Sequence, residues 1–279
     1  MPNKRGGSSG VSSVAASSAA QSQSPTYTSY TEFPDEAEDG FNYAGDPQTV
    51  IDFFYETSNL AQIESNLSDL EYEVLQRYSR GDLMNADQYN DWDDMMPKTA
   101  AMLQVLDGLI DKFVLNQGVV VTRLSTAEML TGKPYATLSE LKDLEGTTII
   151  NRGVLSCSAA KEGLAIGDPD LKVGYKNASA RSMYGNVKTV EYRIKIPPSK
   201  GAGMYIGTKA LNKTWGADQR EFIVARDTHL KVGKTTYDAH RDVCVVELEY
   251  KKTSIHGYGE TGKFSNGMLT SALKPIKRS

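Results

Sequence analysis

Gln219 and Glu221 flank a single arginine in the triplet Gln219-Arg220-Glu221, at the head of a β-prone run that continues to Ala225. Residues two apart in an extended chain project from one face, so the spacing predicts a carboxylate and an amide side by side, able to serve a single substrate. Two polar groups on a strand face have little force alone. They gain it from what stands upstream in order: Arg123 closes the strand-like run VVVTR, and Ser156-Cys157-Ser158 closes another, Gly153 to Ser158.

Strands and helices must bring these residues together. After Gly118 the pattern is extended, with β-branched or alternating runs at Val119 to Leu124, Gly153 to Ser158, Thr189 to Ile196, Glu221 to Ala225 and Val243 to Tyr250. Val190, Tyr192, Ile194 and Ile196 alternate with Thr189, Glu191, Arg193 and Lys195, which predicts one buried and one wet face. Ahead of Gly118 the reading is helical. Asp46-Pro47 reads as an N-cap and a proline at the first helical position. A helix around Leu67 to Tyr78 carries Leu70, Val74, Leu75 and Tyr78 as core positions and ends near Gly81. Met102, Val105, Leu106, Leu109, Ile110 and Phe113 recur as an amphipathic helical stripe. Helices gathered at the front and strands behind them predict an α+β domain.

Four regions are expected: a disordered Ser/Ala/Gly-rich and acidic tail over 1–45, a helical lobe over 46–117, a β core over 118–255 and a basic C-terminal segment over 256–279, the last three forming one domain. The tail has hardly any large apolar residue to offset ordering entropy. A chain of 279 residues with 39% hydrophobic and 24% charged residues buries a sizeable core. Its net charge of -4 argues against a wholesale polyanion-binding surface. Cys157 and Cys244 are too few for a disulfide scaffold, and His229, His240 and His256 lack metal-ligand spacing, so no metal is expected. Gly257 to Gly262 matches GxGxxG but does not directly follow a strand, which excludes a hydride-transfer cofactor site. Gly233-Lys234-Thr235 lacks the earlier glycine of a phosphate loop and reads as a turn. Asn66, Asn177 and Asn212 head glycosylation triplets, which carry no weight without a secretory route. No apolar run suits a membrane span or a signal peptide, so a cytoplasmic setting, in the producing or a target cell, is the expectation.

Arg123, Ser156-Cys157-Ser158 and Gln219-Arg220-Glu221, taken in order, resemble the three-part signature of the mono-ADP-ribosyltransferases: an arginine, Ser-Thr-Ser, then Gln/Glu-x-Glu. The stretch IKIPPSKGAGMYIG is similar to that family's strand, proline-lysine-glycine turn and Gly-Tyr-Ile segment. Tyr78 and Asn85, with a further helix after them, look like the helical lobe of binary-toxin enzymatic subunits, Rho-modifying exoenzymes and phage-encoded transferases. The likeness spans about residues 50 to 250. Cys157 stands in place of the usual threonine, and Val154 and Leu155 occupy the positions where an aromatic residue is usual. The arginine that follows the asparagine in many relatives has no counterpart after Asn85.

The resemblance implies a helical lobe packed on a mixed, mainly antiparallel β-sandwich core with an NAD cleft. NAD would be a consumed substrate. Glu221 would stabilise the cationic ribose left by departing nicotinamide and bond its 2′-hydroxyl, with Ser156 holding the Glu221 rotamer. Arg123 suits bidentate contact with the pyrophosphate, and Ser158, Asn85 and Arg181 are further NAD-binding candidates. Gln219 would address the acceptor, since an amide both donates and accepts, which suits an asparagine side chain or a guanine edge. Trp215, four residues earlier, resembles the exposed aromatic of the family's target-recognition loop. A monomer that modifies a protein side chain is the first expectation. Guanine in nucleic acid or water as acceptor is the second, and a non-catalytic phage or bacterial interaction protein is the third.

Overall fold

A computed structural model of the chain describes residues 30–33, 47–80, 97–133, 135–159, 186–187, 190–213, 220–239 and 243–253. Four helices come first: α1 (Pro47–Thr57), α2 (Leu60–Asn66), α3 (Asp69–Ser79) and α4 (Pro97–Ile110). Helix α3 starts where Ser68 and Glu71 form a capping box. The Ser68 hydroxyl accepts from the Glu71 N–H, and the Glu71 carboxylate accepts from the Ser68 N–H. Helix α4 stops at Ile110, three residues short of the expected Phe113, which the following turn still delivers into the core.

Beyond Leu115 the order is β2 (Val119–Ser125), α5 (Glu128–Thr131), α6 (Leu138–Lys142), β4 (Thr148–Asn151), β5 (Leu155–Ser158), β7 (Val190–Ile196), β9 (Gly203–Tyr205), β10 (Glu221–Val224), β11 (Thr228–Asp238) and β12 (Val243–Thr253). Two-residue strands β1 (Val114–Leu115) with β8 (Ser199–Lys200), and β3 (Ala136–Thr137) with β6 (Asn186–Val187), form small separate ladders. The two short helices interrupt a region read as extended. Helix α6 has its own capping box, Thr137 with Glu140, a signal present in the sequence.

Eight strands hydrogen-bond in the order β4-β11-β12-β7-β2-β5-β10-β9, with β12 and β7 parallel and every other pair antiparallel. The expected class, helices on a mixed and mainly antiparallel sheet, is what forms. Between β2 and β5 the ladder holds, among the described residues, a single register pair, Thr122 opposite Ser158. Five strands lie on one side of that seam and three on the other. The helical lobe packs on the three-strand side: Phe54 of α1 stacks on Tyr205 of β9 at 4.1 Å, and Phe113 meets Phe222 of β10 edge-on.

Three sequence expectations need correction. Gly233-Lys234 is no turn but a bulge inside β11, where two residues oppose the single Glu247 between the pairs Val232/Leu248 and Thr235/Val246. A Cβ on Gly233 would lie 3.2 Å from the Glu247 Cβ, so the glycine marks this close approach. Glu191, placed on a wet face, is fully buried between Leu124 and Val245 of the flanking strands, and it accepts from Arg193 Nε at 2.8 Å. Alternation holds for Arg193 and Lys195 on the same face, which stay partly exposed, and fails at Glu191, whose carboxylate is turned onto Arg193. Within the stretch read as a disordered tail, residues 30–33 are tied to the body. Thr31 N–H donates to the Gly118 carbonyl and Val120 N–H to the Thr31 carbonyl, while Phe33 packs edge-on against Phe53.

Candidate active site

Glu221 is the first residue of β10, and it faces Ser158 across the β10–β5 ladder, with Ile223 facing Ser156. Antiparallel register thus sets Ser156 on the diagonal from Glu221 on one sheet face, within reach of a long side chain. Ser156 Oγ donates to Glu221 Oε1 at 2.7 Å. Arg123, half-buried near the end of β2, reaches across the seam and donates from Nη1 to the Ser156 carbonyl at 2.7 Å. Ser158 is fully buried at the seam, opposite both Thr122 and Glu221. Arg123, Ser156, Ser158 and Glu221 are therefore one cluster, although 98 positions separate the first from the last.

Burial pushes the Glu221 carboxyl above its ordinary 4.5, against which the Ser156 hydrogen bond and the Arg123 charge act. Only 5% of Glu221 is exposed, so this desolvation outweighs both. Burial also pushes the Cys157 thiol up to about 12, which keeps it protonated beside Ser156 and Glu221. The Cys157 side chain faces the opposite, apolar side of β5, as period two requires.

Two residues join the cluster that sequence reasoning did not assign to it. Tyr78, expected as helix core, stands at the C-terminal end of α3 beside Ser156 and Glu221. Burial drives its hydroxyl well above the usual range, Glu221 adds to this, and Arg123 and a hydrogen bond with Ser156 oppose it. Asn212, noted only as a glycosylation triplet, is 1% exposed and donates from Nδ2 to Glu221 Oε2 at 3.4 Å. No periodicity could have found it, because residues 206 to 213 follow β9 as an irregular segment.

The opening triplet is built differently from the strand pair expected. Strand β10 begins at Glu221, and Arg220 before it is a turn residue with φ of 49° and a buried side chain. A left-handed residue breaks extended alternation, so spacing by two does not set the facing of Gln219. Gln219 itself lies outside the described residues, as do Trp215, Asn85 and Arg181.

No protein-family model matches this chain, and no curated protein matches it in sequence. Solved structures do. C3stau2 from S. aureus, in a crystal structure with NAD, superposes with a TM-score of 0.57 at 16% identity, over 80% of this chain and 99% of that one. Plx2a, an ADP-ribosyltransferase toxin from Paenibacillus larvae, gives 0.56 at 18% identity over 74% and 97%. The C3 exoenzyme of Clostridium limosum gives 0.52 at 12% over 80% and 98%. These are the kinds of protein that the ordered motifs resemble, and the chain has the fold of the bacterial mono-ADP-ribosyltransferases.

Proposed function

We propose that the chain is a mono-ADP-ribosyltransferase that consumes NAD and moves ADP-ribose to a macromolecular acceptor, first a protein side chain of the asparagine kind. The observation that carries this reading is the convergence of Arg123, Ser156 and Glu221 from β2, β5 and β10. Breaking the bond between the nicotinamide nitrogen and ribose C1′ leaves the electron pair on nicotinamide and positive charge on the ribose. A carboxylate fixed beside that carbon stabilises the charge, and burial strengthens the effect. The acceptor then bonds to C1′ and gives up a proton.

Ser156 serves as the positioning group for Glu221, and Arg123 as the phosphate contact. One guanidinium N–H is engaged by the Ser156 carbonyl, which aims the rest of the fork while leaving donors for a pyrophosphate. Gln219 and Trp215 supply the acceptor side, a role that rests on sequence likeness. The reaction belongs in a cytoplasm, where NAD is abundant.

Labelled NAD incubated with the chain and a cell lysate, followed by protease or nuclease, tests the assignment. Label removed by protease supports the protein acceptor. Label removed by nuclease moves the acceptor to guanine, and neither label nor free nicotinamide would sink the enzymatic reading. Glu221→Gln is expected to abolish transfer and NAD cleavage together, whereas Gln219→Ala is expected to lose transfer and keep cleavage. Equal losses would refute that division of labour.

A further inference from the structure

The segment between β9 and the triplet is anchored from the helical lobe. Gln76 of α3, 1% exposed, donates from Nε2 to the Leu211 carbonyl at 2.7 Å and accepts from the Lys213 N–H at 3.2 Å. These two bonds bracket Asn212. Thr208 donates to Glu64 of α2, and Asn212 N–H closes the same turn on the Thr208 carbonyl at 2.8 Å. Lys213 extends away over the ring of Tyr72. The Asn212 backbone is thus fixed on both sides by α3, and its amide is left facing Glu221 Oε2.

We propose that Asn212, held by Gln76, is a second positioning residue for Glu221, completing with Ser156 a two-donor cradle that fixes both carboxylate oxygens. The inference rests on the role given to Glu221 under the proposed function. Ser156 Oγ engages Oε1 and Asn212 Nδ2 engages Oε2, so rotation about the last side-chain bond is restrained at both oxygens. Each carboxylate oxygen has two acceptor sites, so one on each remains for substrate. A neutral amide also favours the ionised carboxylate without neutralising it, as a cation would. Among the described residues, the charged and titratable groups that face Glu221 are Arg123 from β2, Tyr78 from α3 and Cys157 from β5, of which Arg123 is the cation. On this proposal the Asn212 donor adds to the Ser156 bond and the Arg123 charge that act against desolvation.

The test uses the full chain labelled with ¹³C at glutamate carboxyls, with Glu221→Gln assigning the Glu221 signal. Asn212→Ala is expected to shift the Glu221 titration to higher pH, and Asn212→Asp, which keeps the shape but replaces the donor with a like charge, to shift it further. Gln76→Ala is expected to shift it in the same direction by loosening the segment. Nicotinamide release on the same samples should fall, on the order of tenfold to hundredfold for Asn212→Ala, with its acid limb displaced alongside the titration. A Glu221 titration unchanged in both Asn212 variants overturns the cradle, whatever happens to activity. A shifted titration with a wild-type chain that never cleaves NAD keeps the cradle and overturns the catalytic reading instead.

Discussion

Glu221 is under tension between burial and charge, and this sets two expectations at the level of one side chain. Its carboxyl titrates above the ordinary value, so the folded chain holds the proton more tightly than the unfolded chain does. Folded stability therefore falls as pH rises from about the unfolded value through the folded one, and stays at the lower level above it. Glu221→Gln, neutral and of the same shape, is expected to raise the melting temperature at pH 7 while abolishing NAD cleavage. The gain should vanish below about pH 4, where both states bind the proton. Calorimetry of the two proteins across that range checks it, and a variant less stable at pH 7 would contradict it. Arg123, Ser156, Ser158 and Glu221 were legible in the sequence because each belongs to an ordered motif. Asn212 and Tyr78 were not, since their places depend on contacts between distant parts of the chain, such as the Gln76 bonds to Leu211 and Lys213 that hold Asn212.

At the level of elements, one ion pair fastens helix α4 to the turn after β10. Arg226 Nε donates to Asp107 Oδ2 at 2.7 Å with both groups buried, and Arg226 also reaches Asp227 at 3.4 Å. Removing one partner of such a pair leaves the other charge in a site built for both, so Asp107→Ala is expected to cost about 3–5 kcal/mol in urea unfolding. A loss under about 1 kcal/mol would show that Asp227 suffices. The strap at residues 30–33 makes a second expectation. A methyl on Gly118 would come within 2.7 Å of the Tyr30 ring, so Gly118→Ala should free the strap and expose sites near Tyr30 to protease. Helix α3 and the main strands were readable from caps and alternation. Strand β11 was not, because its bulge at Gly233-Lys234 puts turn-like residues in the middle of a ladder, and Glu191 escaped because its carboxylate pairs with Arg193 instead of facing water.

For the whole molecule, helices and sheet share one apolar core rather than two. Phe54 on α1 stacks against Tyr205 and approaches Phe222, and the cluster runs on through Leu103, Leu106 and Val224. Cutting Phe54 to alanine is expected to cost about 3–5 kcal/mol, with backbone dichroism and tyrosine absorbance still falling together in one transition. Two separated transitions would mean that lobe and sheet unfold independently. The fold class was legible because it needs only the order of helical and extended patterns. The strand order was not, since pairing across long separations is fixed by packing and not by local preference.

The seam splits the eight strands into two plates, which meet among the described residues through the ladder pair Thr122 and Ser158 and the Arg123 bond to the Ser156 carbonyl. Arg123 is mounted on one plate, and Ser156 and Glu221 on the other. A dinucleotide gripped by residues of both plates would act as a clasp, so bound NAD should slow amide exchange along β2 and β5 far more than along β11 and β12. The line of sparsest strand pairing and the line of bond cleavage would then coincide, and substrate itself would add cross-links where the ladder has few.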